Sequence, residues 1–259
     1  MKIFGIQFSI TWQDKPANFT RVGDLVAEAG PPAGSLIVLP EMFATGFSME
    51  VDAVVDEGKE PTEVFLGSLA ARHGCFVIAG RVSRAEDGLG SNEAIVVGPD
   101  GRVIQRYRKM HPFSYGGEDE HYAAGREPVL FEWHGMKVCP LVCYDLRFPE
   151  VFRTAVVRGA ECFAVIANWP RARQMHWEQL LKARAIENQA YVVGVNRVGS
   201  DPNVKYRGGS LIIDPRGEVL AGAGDEEVVL SADIDPAALD EYRQRFPALR
   251  DIHPDFVRP

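Results

Sequence analysis

Val138–Glu150 reads V-C-P-L-V-C-Y-D-L-R-F-P-E, and its character changes midway. Val138 to Val142 is a continuous apolar stretch of strand length. Cys143 ends it, and Tyr144, Asp145 and Arg147 follow at once. Pro149 then opens a helical segment, as proline does at a first helical position. A strand that runs into a helix through a cysteine can lift that thiol toward a cleft, where a thiolate is a strong nucleophile. The same residue could equally be a small packing group inside an apolar core.

Two other stretches end in the same way. In Leu36–Phe43, L-I-V-L-P-E-M-F, Pro40 breaks an apolar strand just before Glu41. In Tyr107–Phe113, Y-R-K-M-H-P-F, Lys109 leaves a strand among aromatics and a proline. A single loop glutamate or lysine is ordinarily solvated. Ligands of α/β proteins, however, gather outside the carboxyl ends of strands, so three such exits can converge.

Glu41 in L-P-E, Lys109 in R-K-M-H-P-F and Cys143 in C-Y-D-L-R-F-P-E resemble the Glu-Lys-Cys triad of the nitrilase, or carbon–nitrogen hydrolase, superfamily. Order and spacing agree, with 68 positions from Glu41 to Lys109 and 34 from Lys109 to Cys143. The resemblance runs from Ile3 to about Asp235. Three further blocks are similar to the omega-amidase branch: Ala167–Tyr191, Asn196–Asp201 (N-R-V-G-S-D) and Tyr206–Gly208 (Y-R-G).

This resemblance implies a four-layer α/β/β/α sandwich with pseudo-twofold halves, formed by one hydrolase domain over residues 1–259. It also implies thiol-dependent cleavage of a small-molecule amide. Amide cleavage needs a nucleophile, a proton for the leaving nitrogen and support for the oxyanion. Cys143 would attack the carbonyl carbon. Glu41 would carry the proton, and burial would make its carboxyl a better base. Lys109 and the Tyr144 N–H would hold the oxyanion, and the lysine's charge would favour the thiolate. A second glutamate near the lysine is expected at Glu118 or Glu120, and the E-x-x-x-Y-x-x-G spacing back from Gly125 favours Glu118.

For the substrate, Asn168 and Trp169 would line the pocket, and Phe113, Tyr115 and Tyr122 would form an aromatic wall. An arginine fork suits a free carboxylate. Arg173 sits where the branch motif carries an arginine, with Arg147 and Arg207 as rivals. The omega-amidase likeness implies the terminal amide of a short dicarboxylic acid monoamide, such as 2-oxoglutaramate. The alternatives are an N-carbamoyl amino acid or amine amidohydrolase, a general aliphatic amidase, and a catalytically inactive interaction module on the same fold. A papain-type thiol hydrolase would need a histidine base, and the 6 histidines form no constellation.

Composition sets limits. The 259 residues are 46% apolar and 25% charged, ordinary for a globular chain able to bury a sizeable core. A net charge of −8 argues against nucleic acid and against a basic membrane-binding face. No apolar run approaches membrane-spanning length. Cys75, Cys139 and Cys162 lie in strand-like runs and read as packing residues. No Cys/His spacing suggests zinc and no glycine-rich loop suggests a phosphate, so no metal or cofactor is expected. A reducing cytoplasm and a homodimer or higher homo-oligomer are expected.

Periodicity alternates strands with helices. Strands are expected at Lys2–Phe8, Leu36–Leu39, Phe76–Ala79, Phe163–Ala167, Val192–Asn196, Ser210–Asp214 and Val228–Ile234. Hairpins are expected for Ala94–Val97 with Val103–Tyr107, and for Val129–Trp133 with Lys137–Cys143. Helices are expected at Ala17–Ala29, Thr62–His73, Glu150–Arg158 and Arg173–Gln189. Val97–Val103 (V-G-P-D-G-R-V) faintly echoes Ile213–Val219 (I-D-P-R-G-E-V), for which shared turn chemistry is a sufficient account.

Overall fold

The computed structural model describes residues 1–56, 61–253, 255 and 257. In chain order the first half comprises β1 (Lys2–Gln7), α1 (Lys15–Ala29), β2 (Leu36–Val38), α2 (Val51–Val54), α3 (Pro61–His73), β3 (Phe76–Arg84), β4 (Gly90–Val97) and β5 (Val103–Arg108). The second half comprises β6 (Phe131–Trp133), β7 (Met136–Val142), α4 (Pro149–Val157), β8 (Cys162–Ala167), α5 (Gln174–Asn188) and β9 (Tyr191–Asn196). It continues with β10 (Val198–Ser200), β11 (Lys205–Arg207), β12 (Leu211–Ile213), β13 (Val219–Gly222), β14 (Val228–Asp233) and α6 (Pro236–Arg245).

The strands form two six-stranded sheets of one pattern, in the orders β14-β1-β2-β3-β4-β5 and β6-β7-β8-β9-β12-β13. In each, an antiparallel edge strand precedes three parallel strands and then two antiparallel ones. The two sheets therefore share one pattern, although the edge strand β14 of the first comes from the second half of the chain. The faint sequence echo has a structural meaning beyond turn chemistry: its two segments join the equivalent hairpins β4–β5 and β12–β13. Both hairpins also carry a register shift at the same place, at Val96/Val97 and at Ile212/Ile213.

Side-chain alternation builds the layers. On β2, Leu36 and Val38 join the core between the sheets, while Ile37 and Leu39 face α1 and α3 through Val22, Val26, Leu66 and Leu69. On the other side, Phe152 of α4 and Trp177, Leu181 and Ala185 of α5 pack onto the second sheet. The order is α/β/β/α, as the resemblance implied. The sheets come close where Gly5 lies: a Cβ there would sit 3.1 Å from Val195 of β9 in the second sheet, besides meeting its own cross-strand neighbour Leu230. Helix ends follow local chemistry. Asp14 caps α1 by accepting the Ala17 N–H, Gly30 ends it in the left-handed conformation, and Pro149 starts α4 at its first turn.

Most expected elements form, with shifted bounds. β3 and β4 run further than apolarity suggested, and the added length of β4 includes Asn92. The short strands β10, β11 and β13 and helices α2 and α6 carry weak periodicity and were not anticipated. Among the described residues no helix is long and apolar enough to cross a membrane.

Candidate active site

The three strand exits meet. Glu41 follows β2, Lys109 follows β5 and Cys143 follows β7, and all three are nearly or fully buried. Cys143 begins a tight 3-10 turn, Cys143–Arg147, and has φ +46°. Met42, next to Glu41, has φ +42°. Non-glycine residues in this left-handed region are strained and concentrate at functional sites. Behind Glu41 lies Gly80 of β3, where a Cβ would fall 2.3 Å from Met42 N and 2.6 Å from Glu41 Cα. Only glycine lets the Glu41 turn press so closely on the neighbouring strand.

Lys109 Nζ donates to Glu118 Oε2 at 2.7 Å and to Glu41 Oε1 at 3.0 Å. Asn92 Nδ2 bridges the same carboxylates, 2.8 Å from Glu41 Oε1 and 2.8 Å from Glu118 Oε1. Glu118 Oε2 also accepts the Phe113 N–H at 2.6 Å. The choice between the two loop glutamates falls to Glu118, which is buried, while Glu120 is exposed. Glu41 Oε2 accepts the Asn168 N–H at 2.8 Å, and its carbonyl oxygen accepts Asn168 Nδ2 at 2.6 Å.

Asp145, fully buried, ties the nucleophile turn to the lysine loop. It accepts the Val142 N–H (3.1 Å), the Tyr107 hydroxyl (2.7 Å) and the His111 N–H (3.0 Å). His111 Nδ1 lies 2.9 Å from the same carboxylate. Cys143 and Lys109 therefore share one anchor.

The charges set the resting protonation. Burial alone would lower the Lys109 pKa, but Glu118 and Glu41 outweigh it and raise the value, so the ammonium stays charged. Burial raises the Glu118 carboxyl, with Glu41 adding to the effect and Lys109 opposing it. Lys109 favours the Cys143 thiolate as expected, but it is outweighed. Burial pushes the thiol well above its ordinary range, the Glu41 charge adds to this, and Lys109 offsets only part. At rest Cys143 is therefore a thiol.

Cys143 opens into a cavity of about 790 Å³. Of the expected substrate-side residues, Phe113, Tyr115, Tyr144, Asn168, Trp169 and Arg173 line it, as does Arg147. Tyr122 does not. It is buried among Met42, Val54, Val55 and Val82, and its hydroxyl donates to the Ser48 carbonyl at 2.5 Å. Its hydroxyl therefore bonds the Met42–Glu50 loop, and its bulk props that loop up instead of forming the aromatic wall. Arg207 is exposed and outside the cavity. The Arg173 guanidinium lies 5.3 Å from the Phe113 ring centre and 5.6 Å from that of Tyr115. Arg147 lies 4.9 Å from Trp169 and donates to His176 Nδ1 at 3.1 Å. Among the described residues neither arginine has a carboxylate within ion-pair distance.

The family model for carbon–nitrogen hydrolases matches residues 5–244. The chain belongs to the carbon–nitrogen hydrolase family. It is 42% identical over 254 residues to the omega-amidase YafV of Escherichia coli, covering 97% of this chain and 96% of that protein. It is 37% identical over 251 residues to the 2-oxoglutaramate amidase of Bacillus subtilis, covering 96% of each. Among solved structures, a superfamily protein from Xanthomonas campestris with an arsenic adduct in its active site superposes with a TM-score of 0.91. That protein is 40% identical, with 98% of this chain and 97% of the other covered. The chain is thus an amide-cleaving hydrolase of the nitrilase superfamily.

Several residues of this hydrolase site were not singled out from sequence: Asn92, Asp145, Trp12, Phe47, Met49 and the β10–β11 turn around Asp201. Asn92 had a signal. Ser91, Asn92 and Glu93 form a buried polar triplet at the head of an otherwise apolar strand. Trp12, Phe47 and Met49 lie on irregular loops, where no period points to a cavity.

Proposed function

We propose that the protein is an omega-amidase, hydrolysing the terminal amide of a small dicarboxylic acid monoamide through a Cys143 thioester. The observation that carries this reading is the pair of guanidiniums, Arg147 and Arg173, in the cavity above Cys143 without a carboxylate partner among the described residues. A half-buried arginine whose guanidinium lies against aromatic rings is preorganised for a planar anion. Relatives named for omega-amides share the chain over almost its whole length.

In this mechanism Glu41 takes the Cys143 proton as Sγ bonds to the amide carbon. Lys109 has three N–H donors and uses two on Glu41 and Glu118, leaving the third for the oxyanion beside the Tyr144 N–H. Glu41 then passes its proton to the nitrogen, the C–N bond breaks and ammonia leaves. Water, deprotonated by Glu41, attacks the thioester, and the thiol recovers the proton as the acid departs. Glu118 fixes the lysine. The four parts belong to one network, which disfavours the inactive-module reading. Asn168 and Trp169 form the cavity wall nearest the base.

The whole 1–259 chain is read as one hydrolase domain, working without metal or organic cofactor, in the cytoplasm and as a homo-oligomer. Four buried unpaired thiols suit a reducing compartment. Dialysis against chelator should leave turnover intact, and sedimentation should show more than a monomer.

The deciding experiment compares ammonia release from 2-oxoglutaramate and succinamate with that from butyramide. The charged amides should be favoured in kcat/KM by at least tenfold. Arg147→Ala and Arg173→Ala should erode that preference more than they slow butyramide. Equal kcat/KM for charged and neutral amides would remove the omega-amidase reading and leave a general amidase, while a preference for N-carbamoyl amino acids would move it to a carbamoylase.

A further inference from the structure

Asn92 stands at the centre of the carboxylate pair. Its side chain is buried, on β4, and both protons of Nδ2 are engaged, one by Glu41 and one by Glu118. Its backbone carbonyl accepts the Lys109 N–H at 2.9 Å. One residue therefore touches both carboxylates and the strand end that presents the lysine. Its own Oδ1 has no hydrogen-bond partner. A buried unsatisfied oxygen is costly, and such groups persist mostly where the rest of the side chain has a task. The amide cannot be turned over either, because Oδ1 would then face two carboxylates.

We propose that Asn92 is a positioning residue for the reaction: its one amide spans Glu41 and Glu118 and holds them as a spaced pair, with Glu41 kept toward Cys143. Lys109 alone cannot do this. Its single charge is shared between two acidic groups, and one ammonium leaves both free to swing toward it. The Asn168 N–H holds only Glu41 and the Phe113 N–H holds only Glu118, whereas Asn92 adds a second, neutral bridge between the two carboxylates. The charged or titratable groups facing it are Glu41 after β2, Lys109 after β5, Glu118 from its short 3-10 turn, and Cys143 at the nucleophile turn. The Tyr122 phenol lies nearby, with its pKa raised by burial and by Glu118. Neighbouring Ser91 and Glu93 point to the other face of β4, where Glu93 meets Arg81 at 3.3 Å.

The inference rests on the Glu-Lys-Cys reading of the site. Two readouts test it: the pH profile of kcat/KM for succinamate, and the pH profile of Cys143 alkylation by iodoacetamide. Donors that favour the charged carboxylates are lost in Asn92→Ala, so protons bind the pair more tightly. The acid limb of the kcat/KM profile should move up by about one pH unit, and kcat should fall at least tenfold while KM changes little, whereas Cys143 alkylation, with the thiolate less opposed once Glu41 is neutral, should set in at lower pH. Asn92→Asp keeps the shape but adds a third acidic group, and should move the limb further. Asn92→Ser retains one donor and should fall between wild type and Asn92→Ala, which keeps the test open if the alanine variant does not fold. An unmoved acid limb in a folded Asn92→Ala or Asn92→Ser protein would overturn the proposal, as would activity that merely tracks the folded fraction. Alkylation needs no amide. A wild type inert to succinamate would sink the functional reading, while the alkylation profile would still judge Asn92.

Discussion

Asn168 donates its backbone N–H to Glu41 Oε2 at 2.8 Å and its side-chain amide to the Glu41 carbonyl oxygen at 2.6 Å. The two residues occupy equivalent places, one at the exit of β2 in the first sheet and the other at the exit of β8 in the second. Glu41, the proposed proton carrier, is thus held by the matching position of the second sheet, across the pseudo-twofold relation. Neither half could assemble the site alone. The cavity wall at Asn168 and the Glu41 carboxylate are one hydrogen-bonded unit.

Asn168→Ala keeps the backbone N–H but removes the bond to the Glu41 carbonyl, leaving a buried acceptor without its donor. Such a loss typically costs about 1–3 kcal/mol. The melting temperature should fall, and kcat should drop about tenfold as Glu41 loses its fixed orientation. Unchanged kcat beside a lowered melting temperature would show that the side-chain bond supports only the fold.

Gly80→Ala tests the other support of Glu41. The added methyl would overlap Met42 N and Glu41 Cα, which belong to a strained turn that has to move. Overpacking of this kind costs typically about 1–3 kcal/mol. Because the displaced atoms carry the base, kcat should fall more than the stability loss explains. Wild-type kcat in the variant would mean that the turn yields without moving the carboxylate.

How much was legible beforehand follows from which signals are local. Cys143, Glu41 and Lys109 each sit where an apolar run stops, a signature written in a few adjacent residues. Glu118 was reachable by spacing from Tyr122 and Gly125. Tyr122 misled because an aromatic near a reactive segment suggests a wall, and nothing in the sequence says whether its ring faces the cavity or props the loop behind it. Asn92 reaches side-chain partners 26 and 51 positions away, and Asp145, besides the nearby Val142 N–H, reaches partners 34 and 38 positions away. Such long-range hydrogen bonds leave no periodic trace. The four layers were similarly beyond periodicity: alternation puts Ile37 and Val38 on opposite faces, but does not say which face meets the other sheet and which meets the helices.

The four cysteines should separate cleanly. Cys143→Ala should abolish ammonia release while circular dichroism stays native. Cys139 and Cys162 are wholly buried, burial raises the Cys139 thiol strongly, and the Cys162 thiol is pushed up to about 12. Neither can supply a thiolate near neutral pH. Alanine at Cys75, Cys139 or Cys162 should cost about 1 kcal/mol of stability and leave kcat within a few-fold of wild type. Residual turnover in Cys143→Ala at a substantial fraction of the wild-type rate would place the nucleophile elsewhere.

The charges around Cys143 predict opposite shifts in its titration. The Glu41 carboxylate disfavours the thiolate and the Lys109 ammonium favours it. Removing the first in Glu41→Gln should lower the thiol's pKa, so alkylation by iodoacetamide should set in at lower pH than in the wild type. Removing the second in Lys109→Met should raise it, so alkylation should need higher pH. Activity will not follow the thiolate: Glu41→Gln should be nearly inactive despite the more acidic thiol, because turnover depends on returning a proton to the leaving nitrogen and on activating water. Lys109→Met should lose about a hundred- to a thousand-fold in kcat, the usual effect of deleting an oxyanion donor. Shifts of the same sign in both variants would show that burial, rather than these two charges, governs Cys143. Fast ammonia release from Glu41→Gln would take the proton transfer away from Glu41.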